Sequence, residues 1–341
     1  MPIERILAAL VAITFLVVHW IGLEGTGRMN ARITVCVLIF FALIGLAGLV
    51  TAAEEPRRLT DFETFLPFGW SPLPVAMGLT FVAFEGFEVI AQAGQEAKRP
   101  RRNLPKAMLY AVLVGTFAYV TVAVASVVGA GPGGGRAEGW QWVASYGATG
   151  FGEVASRLLT GGWLLPALAV VLACALALNV TVSSAARSVY ALGRDRMLPP
   201  VLTRLSPSGG TPVGALLATA AIIAPATLLV PITDLAAGAS LMFLLVFAVV
   251  NLATIRARYE RGHELHYGFV TPGFPVPQII AVAAHILLAL ALARVSRIAW
   301  LLPQVWVLAA LVIYRLYSHS RALPAPDEGL GGSPASPGRL P

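Results

Sequence analysis

With 341 residues, 57% of them hydrophobic and only 12% charged, and a mean hydropathy of +0.77, the chain carries more apolar surface than a soluble domain of this size can bury. A net charge of +7 and a pI near 9.8 would point a soluble protein towards nucleic acid, but these charges flank apolar runs and mark membrane topology. The composition thus excludes a nucleic-acid partner and leaves an all-α, polytopic transmembrane helical bundle in contact with membrane lipid.

Windows of about 19 residues predict nine spans, at 6–23, 33–51, 72–97, 107–129, 163–187, 213–230, 235–255, 278–293 and 298–317. Placing the loops alternately puts 17 of the 24 Lys and Arg on one side. The richer side is cytoplasmic by the positive-inside rule, which predicts a multi-pass cell-membrane protein with its C-terminus inside and its N-terminus outside. Arg5 stands at the start of the first span with no cleavable signal before it, so either earlier helices are absent or another element inserts this span. Cys36 and Cys174 fall inside spans, where they act as small hydrophobes. The transmembrane region is predicted to occupy 1–321, and the Pro- and Gly-rich stretch 322–341 reads as a disordered cytoplasmic tail.

The first two spans are joined by "EGTGRMNAR", a short turn carrying Arg28 and Arg32. An external, Pro-rich loop with Trp70 as interfacial anchor leads to the third span. That span, at 72–97, would be ~39 Å long as a helix, more than the ~30 Å of a hydrocarbon core, so it is expected to tilt or break. Its centre reads "FEGFE". Glu85 lies roughly 20 Å down, where a charge costs several kcal/mol unless it meets water, a partner or a proton. Gly86 beside it lets the backbone open, and an opened helix within a bilayer is tolerable only where it lines an enclosed cavity or holds a ligand. The alternative is that Gly86 permits close helix packing and that Glu85 and Glu88 point into polar crevices.

Lys98, Arg99, Arg101, Arg102 and Lys106 follow as a topology signal, and Pro105 is expected to start the fourth span. The glycine-rich loop "GAGPGGGRAEGWQW" lacks the Lys-Ser/Thr ending of a phosphate loop. The next stretch, "YGATGFGEVASRLLTGG", has the pattern of a short amphipathic external helix. In the fifth span, Asn179, Thr181, Ser183 and Ser184 are placed to cap backbone groups, to hydrogen-bond across helices or to contribute oxygens to a cation site. The sixth span carries Pro225 and the seventh is uniform apart from Asn251, so both read as packing helices. His263 and His266 lack a convergent carboxylate set and do not suggest a metal site. His285, alone in the eighth span, is expected to be a hydrogen-bonded interior residue.

Three of these stretches together resemble the amino acid-polyamine-organocation transporter superfamily. "FVAFEGFEVIAQAGQEAKRPRRNLPKAM" resembles its sixth helix and following loop, "GTGRMNARITV" the link between its fourth and fifth, and "SSAARSVYALGRDRMLPPVLTRLSPSGGTPVGALL" its eighth helix through the start of the ninth. The resemblance implies a LeuT-like fold of two five-helix inverted repeats, here partial because the family's first three helices are missing. It also implies an unwound segment at Phe84, Glu85, Gly86 and Phe87, whose carbonyls would hold a substrate ammonium while Phe84 acts as an aromatic gate. Glu85 would pair with a cationic substrate or carry a proton, and Glu88, Asn179, Ser183 and Ser184 would supply polar or ion contacts. A lysine that some members use for proton coupling is replaced by Phe41.

The function so implied is secondary active transport of amino acids or related organic cations by alternating access, with a small-molecule substrate, no cofactor and no metal, and a coupling ion left open. A transport-incompetent remnant is the alternative. An integral-membrane enzyme would need clustered acids for Mg²⁺, a His-rich metal set or a nucleophile with its base, and the sequence offers none of these.

Overall fold

In a membrane interior every backbone polar group needs an internal partner, which favours helices for apolar runs of this length. A computed structural model describes residues 2–20, 27–62, 66–92, 94, 97–131, 139–159, 162–206, 211–261 and 269–321, and the expected spans all fall on helices. The long ones are α2 (Gly27–Glu54), α5 (Pro100–Ala130), α8 (Leu164–Arg194), α10 (Ile232–Arg261) and α12 (Arg297–Ile313), which runs on through one π-turn over Tyr314–Ser318. Shorter apolar helices are α1 (Pro2–Trp20), α9 (Val213–Leu229) and α11 (Val276–Leu292). The third span is split into α3 (Leu73–Thr80) and the one-turn α4 (Val89–Gln92). The chain is a multi-pass helical membrane protein.

Several boundaries differ from expectation. Helix α5 starts at Pro100 and passes through Pro105. Pro100 at the first helical position sacrifices no hydrogen bond, and Pro105 lies early enough in the helix to remove only one. Helices α8 and α10 continue past the apolar runs to Arg194 and Arg261, because charged residues lengthen a helix once it has left the hydrocarbon. The expected external helix is α7 (Gly150–Leu158), preceded by α6 (Gly139–Ser145). The centre of the glycine-rich loop, His263, His266 and the tail 322–341 lie outside the described residues.

Packing is arranged in three apolar clusters. Leu16, Val182, Ala186, Ala215 and Leu216 join α1, α8 and α9. Phe40, Ile44, Ala125, Ala155 and Ala169 join α2, α5, α7 and α8. Leu241, Leu244, Leu288, Ala289 and Leu292 join α10 and α11, with Leu79 and Phe81 of the third span packed against them. Small residues set the helix separations: a Cβ on Gly48 of α2 would come within 2.9 Å of the Ala125 backbone on α5. Large apolar side chains such as Leu49, Phe117 and Leu290 face outward, as a lipid-facing surface requires. The thiols of Cys36 and Cys174 are free and exposed on that surface.

Two arginines close the end of α5. The Arg58 guanidinium donates to the Val128 carbonyl at 3.1 Å, and Arg157 donates to that of Ala130 at 3.3 Å while lying 3.7 Å over the Trp142 ring. These groups satisfy carbonyls that the end of a helix leaves open.

Candidate functional site

The third span breaks where "FEGFE" stands. Helix α3 tightens into a 3₁₀ turn over Phe81–Phe84, Glu85 is extended with ψ of 149°, and Gly86 has φ of +112°. L-residues avoid that φ, so glycine is the residue that allows the reversal. Regular i→i−4 pairing gives way to three-residue turns, with the Glu85 amide donating to Val82, that of Val89 to Gly86 and that of Ile90 to Phe87.

Neighbouring side chains take up the backbone groups this exposes. The Val82 amide donates to the Ser240 hydroxyl of α10 at 3.0 Å, and Ser240 donates to the Leu79 carbonyl at 3.3 Å. Tyr119 of α5 donates its phenol proton to the Ala83 carbonyl. The Gly86 amide donates to the Glu88 carboxylate at 2.8 Å. Glu88 therefore stabilises the turn itself.

A cavity lies on each side of the break. The larger, of about 640 Å³, faces α8 and is lined by Glu85, Gly86, Glu88, Tyr119, Thr181 and Ser184, among others. Gln92 and Ser184, which also line it, are joined by a reciprocal pair of hydrogen bonds, 2.8 Å from the amide nitrogen to the hydroxyl and 3.1 Å from the hydroxyl to the amide oxygen. The smaller, of about 400 Å³, lies towards α10 and α11 and is lined by Phe84, Glu85, Phe87, Phe247, Asn251 and His285, with Phe81, Val112 and Phe243. It is aromatic: Phe87 stacks on Phe247 at 5.4 Å, and Phe81 meets the His285 ring edge-on at 5.7 Å. Glu85 borders both spaces.

The structure thus brings together Phe84, Glu85, Gly86, Phe87, Glu88 and Ser184 but leaves out two of the predicted polar contacts. Asn179 and Ser183 lie on the neighbouring face of α8, away from the 173, 176, 177, 180, 181 and 184 stripe that lines the larger cavity. Asn179 instead bonds Asn30 of α2 at 3.3 Å, and its carbonyl lies 3.2 Å from the His19 ring. Phe84 packs edge-on against Tyr119 at 5.1 Å. His285 corrects an expectation: its Nδ1 is buried without a hydrogen-bond partner among the described residues. Phe41 packs against Phe40 and Phe151 in an aromatic cluster.

The expectations from sequence missed Tyr119, Ser240, Phe243 and Phe247, and they took the span that carries Asn251 for a packing helix. The signal was present in α10, where 240, 243, 247 and 251 recur at helical spacing as one stripe of aromatic rings ending in polar groups. Among the described residues no three His, Cys, Asp or Glu side chains cluster as metal ligands.

Residues 2–314 match the family model described as amino acid permease. The chain belongs to the amino acid permease family. It is 29% identical over 316 residues to the branched-chain amino acid permease BcaP of Bacillus subtilis, covering 91% of this chain and 63% of that protein. It is 25% identical over 305 residues to a methylthioribose transporter of the same organism, covering 89% of this chain and 62% of that protein. A vacuolar cationic amino acid transporter of Arabidopsis thaliana is 24% identical over 255 residues, with 74% of this chain and 41% of that protein covered. The chain therefore spans less than two thirds of the length of these relatives.

Proposed function

We propose that this permease moves amino acids or related organic cations across the cell membrane by alternating access, binding them at the break in the third span. The observation that carries the reading is the reversal at Glu85 and Gly86, which interrupts the helix between two cavities in the middle of an apolar segment. Peptide carbonyls at such a break attract an ammonium group, as the ends of half-helices do in other transporters. Two carboxylates, Glu85 and Glu88, add negative charge to the larger cavity. The aromatic chamber on the other side suits an apolar or branched side chain, and the acidic rim suits a cationic one. The names of the B. subtilis and Arabidopsis relatives include both kinds of amino acid.

In this reading the cycle involves no covalent step and the chain's work is to bind and to change which side the cavity faces. The C-terminus is cytoplasmic, in line with the Arg and Lys excess on that side. Phe84 and Phe87 close over the substrate, Gly86 supplies the backbone freedom, and the Gln92–Ser184 pair closes the space towards the basic end.

Uptake of labelled leucine, phenylalanine and lysine into vesicles carrying the chain tests the reading. Glu85→Gln and Gly86→Ala should abolish uptake while membrane insertion is retained. Uptake unchanged in both variants would remove Phe84 to Phe87 from the site. Alternating access is tested with Ser184→Cys in a chain freed of Cys36 and Cys174: substrate should change the side from which an impermeant thiol reagent labels it. Labelling from one side only, with and without substrate, would overturn that part.

A further inference from the structure

Away from the break, a cleft of about 790 Å³ opens where α8 and α12 end, lined by Tyr190, Arg194, Arg196, Thr203, Tyr317 and Arg321, among others. Its walls are fixed. The hydroxyl of Ser318 donates to the Met197 carbonyl at 2.5 Å and ties the end of α12 to the exit of α8. The Pro200–Thr203 turn sits so near α8 that a Cβ on Gly193 would lie 2.9 Å from Thr203.

Three guanidinium groups border this space and, among the described residues, only one of them is neutralised. Arg194 pairs with Asp195 at 3.2 Å, whereas Arg196 and Arg321 form no ion pair among the described residues. Arg321 lies 4.6 Å over the Tyr317 ring, which holds its plane in position.

The backbone supplies a second, independent observation. Helix α8 ends with the Arg196 amide donating to Gly193 at 3.1 Å and that of Met197 donating to Leu192 at 2.9 Å, and Arg196 takes φ of +59°. Helix ends of this form place glycine at the left-handed residue, because any other side chain strains there. Here an arginine occupies it, so a positive charge stands at the mouth of the cleft where the main chain favours no side chain at all.

Apolar surface continues from this mouth along α12. Ile313, one turn before Tyr317, is 43% exposed and Leu316 is 81% exposed, on a helix that is long and apolar enough to cross a membrane. Cations that are unpaired among the described residues, beside exposed apolar side chains, match a molecule with an anionic head and hydrocarbon tails. Basic pockets between helices on the positive side of a bundle attract such lipids.

We propose that this cleft binds the headgroup of an anionic phospholipid, with its phosphate between Arg196 and Arg321 and its acyl chains along Ile313 and Leu316 of α12. The inference does not depend on what the permease transports. The exposed apolar side chains of α12 favour a lipid over a free phosphate, and the arginines unpaired among the described residues favour an anionic headgroup over a zwitterionic one.

The test is retention of lipid by the purified full chain, read by native mass spectrometry after exposure to equal amounts of phosphatidylglycerol and phosphatidylcholine. Phosphatidylglycerol should be retained in preference. Arg196→Gly suits the left-handed backbone, so the fold should be kept, yet retention should fall about fivefold; Arg321→Gln should do the same. Arg256→Gln, which removes an arginine that pairs with Glu260 on α10, should leave retention unchanged. Equal retention of both lipids, undiminished retention by the Arg196→Gly, Arg321→Gln double variant, or displacement of the lipid by inorganic phosphate alone would each overturn the proposal.

Discussion

Ser240 on α10 accepts the Val82 amide at 3.0 Å and donates to the Leu79 carbonyl at 3.3 Å, so one buried hydroxyl serves two main-chain groups that an unbroken helix would pair for itself. The residue is fully buried. Ser240→Ala should therefore destabilise the protein by about 1–3 kcal/mol, the cost of leaving buried polar groups without partners. Thermal unfolding in detergent measures it, and an unchanged midpoint would show that α10 does not hold the break in place.

Gly86 has φ of +112° and open space where a Cβ would go, so Gly86→Ala meets backbone strain and no clash. The expected loss is about 1–3 kcal/mol. Gly115, helical in α5 and equally uncrowded, is the control: Gly115→Ala should be neutral or stabilising, since alanine favours a helix by up to about 1 kcal/mol. Equal midpoints for the two variants would mean that the turn relaxes around a side chain.

His285 has a buried ring nitrogen with no partner among the described residues, and its neighbours are the rings of Phe81 and Phe247. A phenyl ring fills the same space without that unpaired atom. His285→Phe should therefore leave stability unchanged or raise it, while His285→Ala should lower it by about 3 kcal/mol through the cavity it opens. Loss of uptake in a stable His285→Phe variant would assign the imidazole a part in transport.

Glu55 follows α2 and receives two hydrogen bonds from Arg58, at 3.0 and 3.2 Å. Those bonds first, and the Arg58 charge second, hold its carboxyl below the ordinary value of 4.5. A folded-state value depressed in this way adds stability that is complete above the ordinary value and is lost as pH falls through the folded one. Replacing Arg58 with Gln should raise the Glu55 titration towards 4.5, as read by carbon-13 NMR of labelled glutamate. Added salt should weaken the shift in the unaltered chain, because the pair is exposed. Arg58→Gln should also lower stability at every pH, since Arg58 covers the Val128 carbonyl; Glu55→Gln should lower it only above the pH range in which Glu55 titrates.

The spans were legible because their signal is summed over some 20 residues, and lipid leaves few alternatives to a helix. The break was legible at Glu85 and Gly86, where an acid beside a glycine contradicts an otherwise apolar run. The partners of the break were not. Ser240 and Tyr119 belong to other helices, and which face of α10 or α5 meets the third span depends on helix rotation, which hydropathy does not report. The same limit explains Asn179 and Ser183: they share a span with Ser184 but point about a third of a turn or more away from it. His285 was singled out by its chemistry, yet whether its nitrogen finds a partner is decided by the phenyl rings around it.

Gln92 and Ser184 hold each other through a hydroxyl and a carboxamide, groups that water serves nearly as well. Parting the one-turn α4 from α8 at that point therefore trades two protein contacts for hydration at a cost of no more than about 1–3 kcal/mol. A contact built this way parts at little cost, whereas a packed leucine in the same position would have to expose apolar surface to separate.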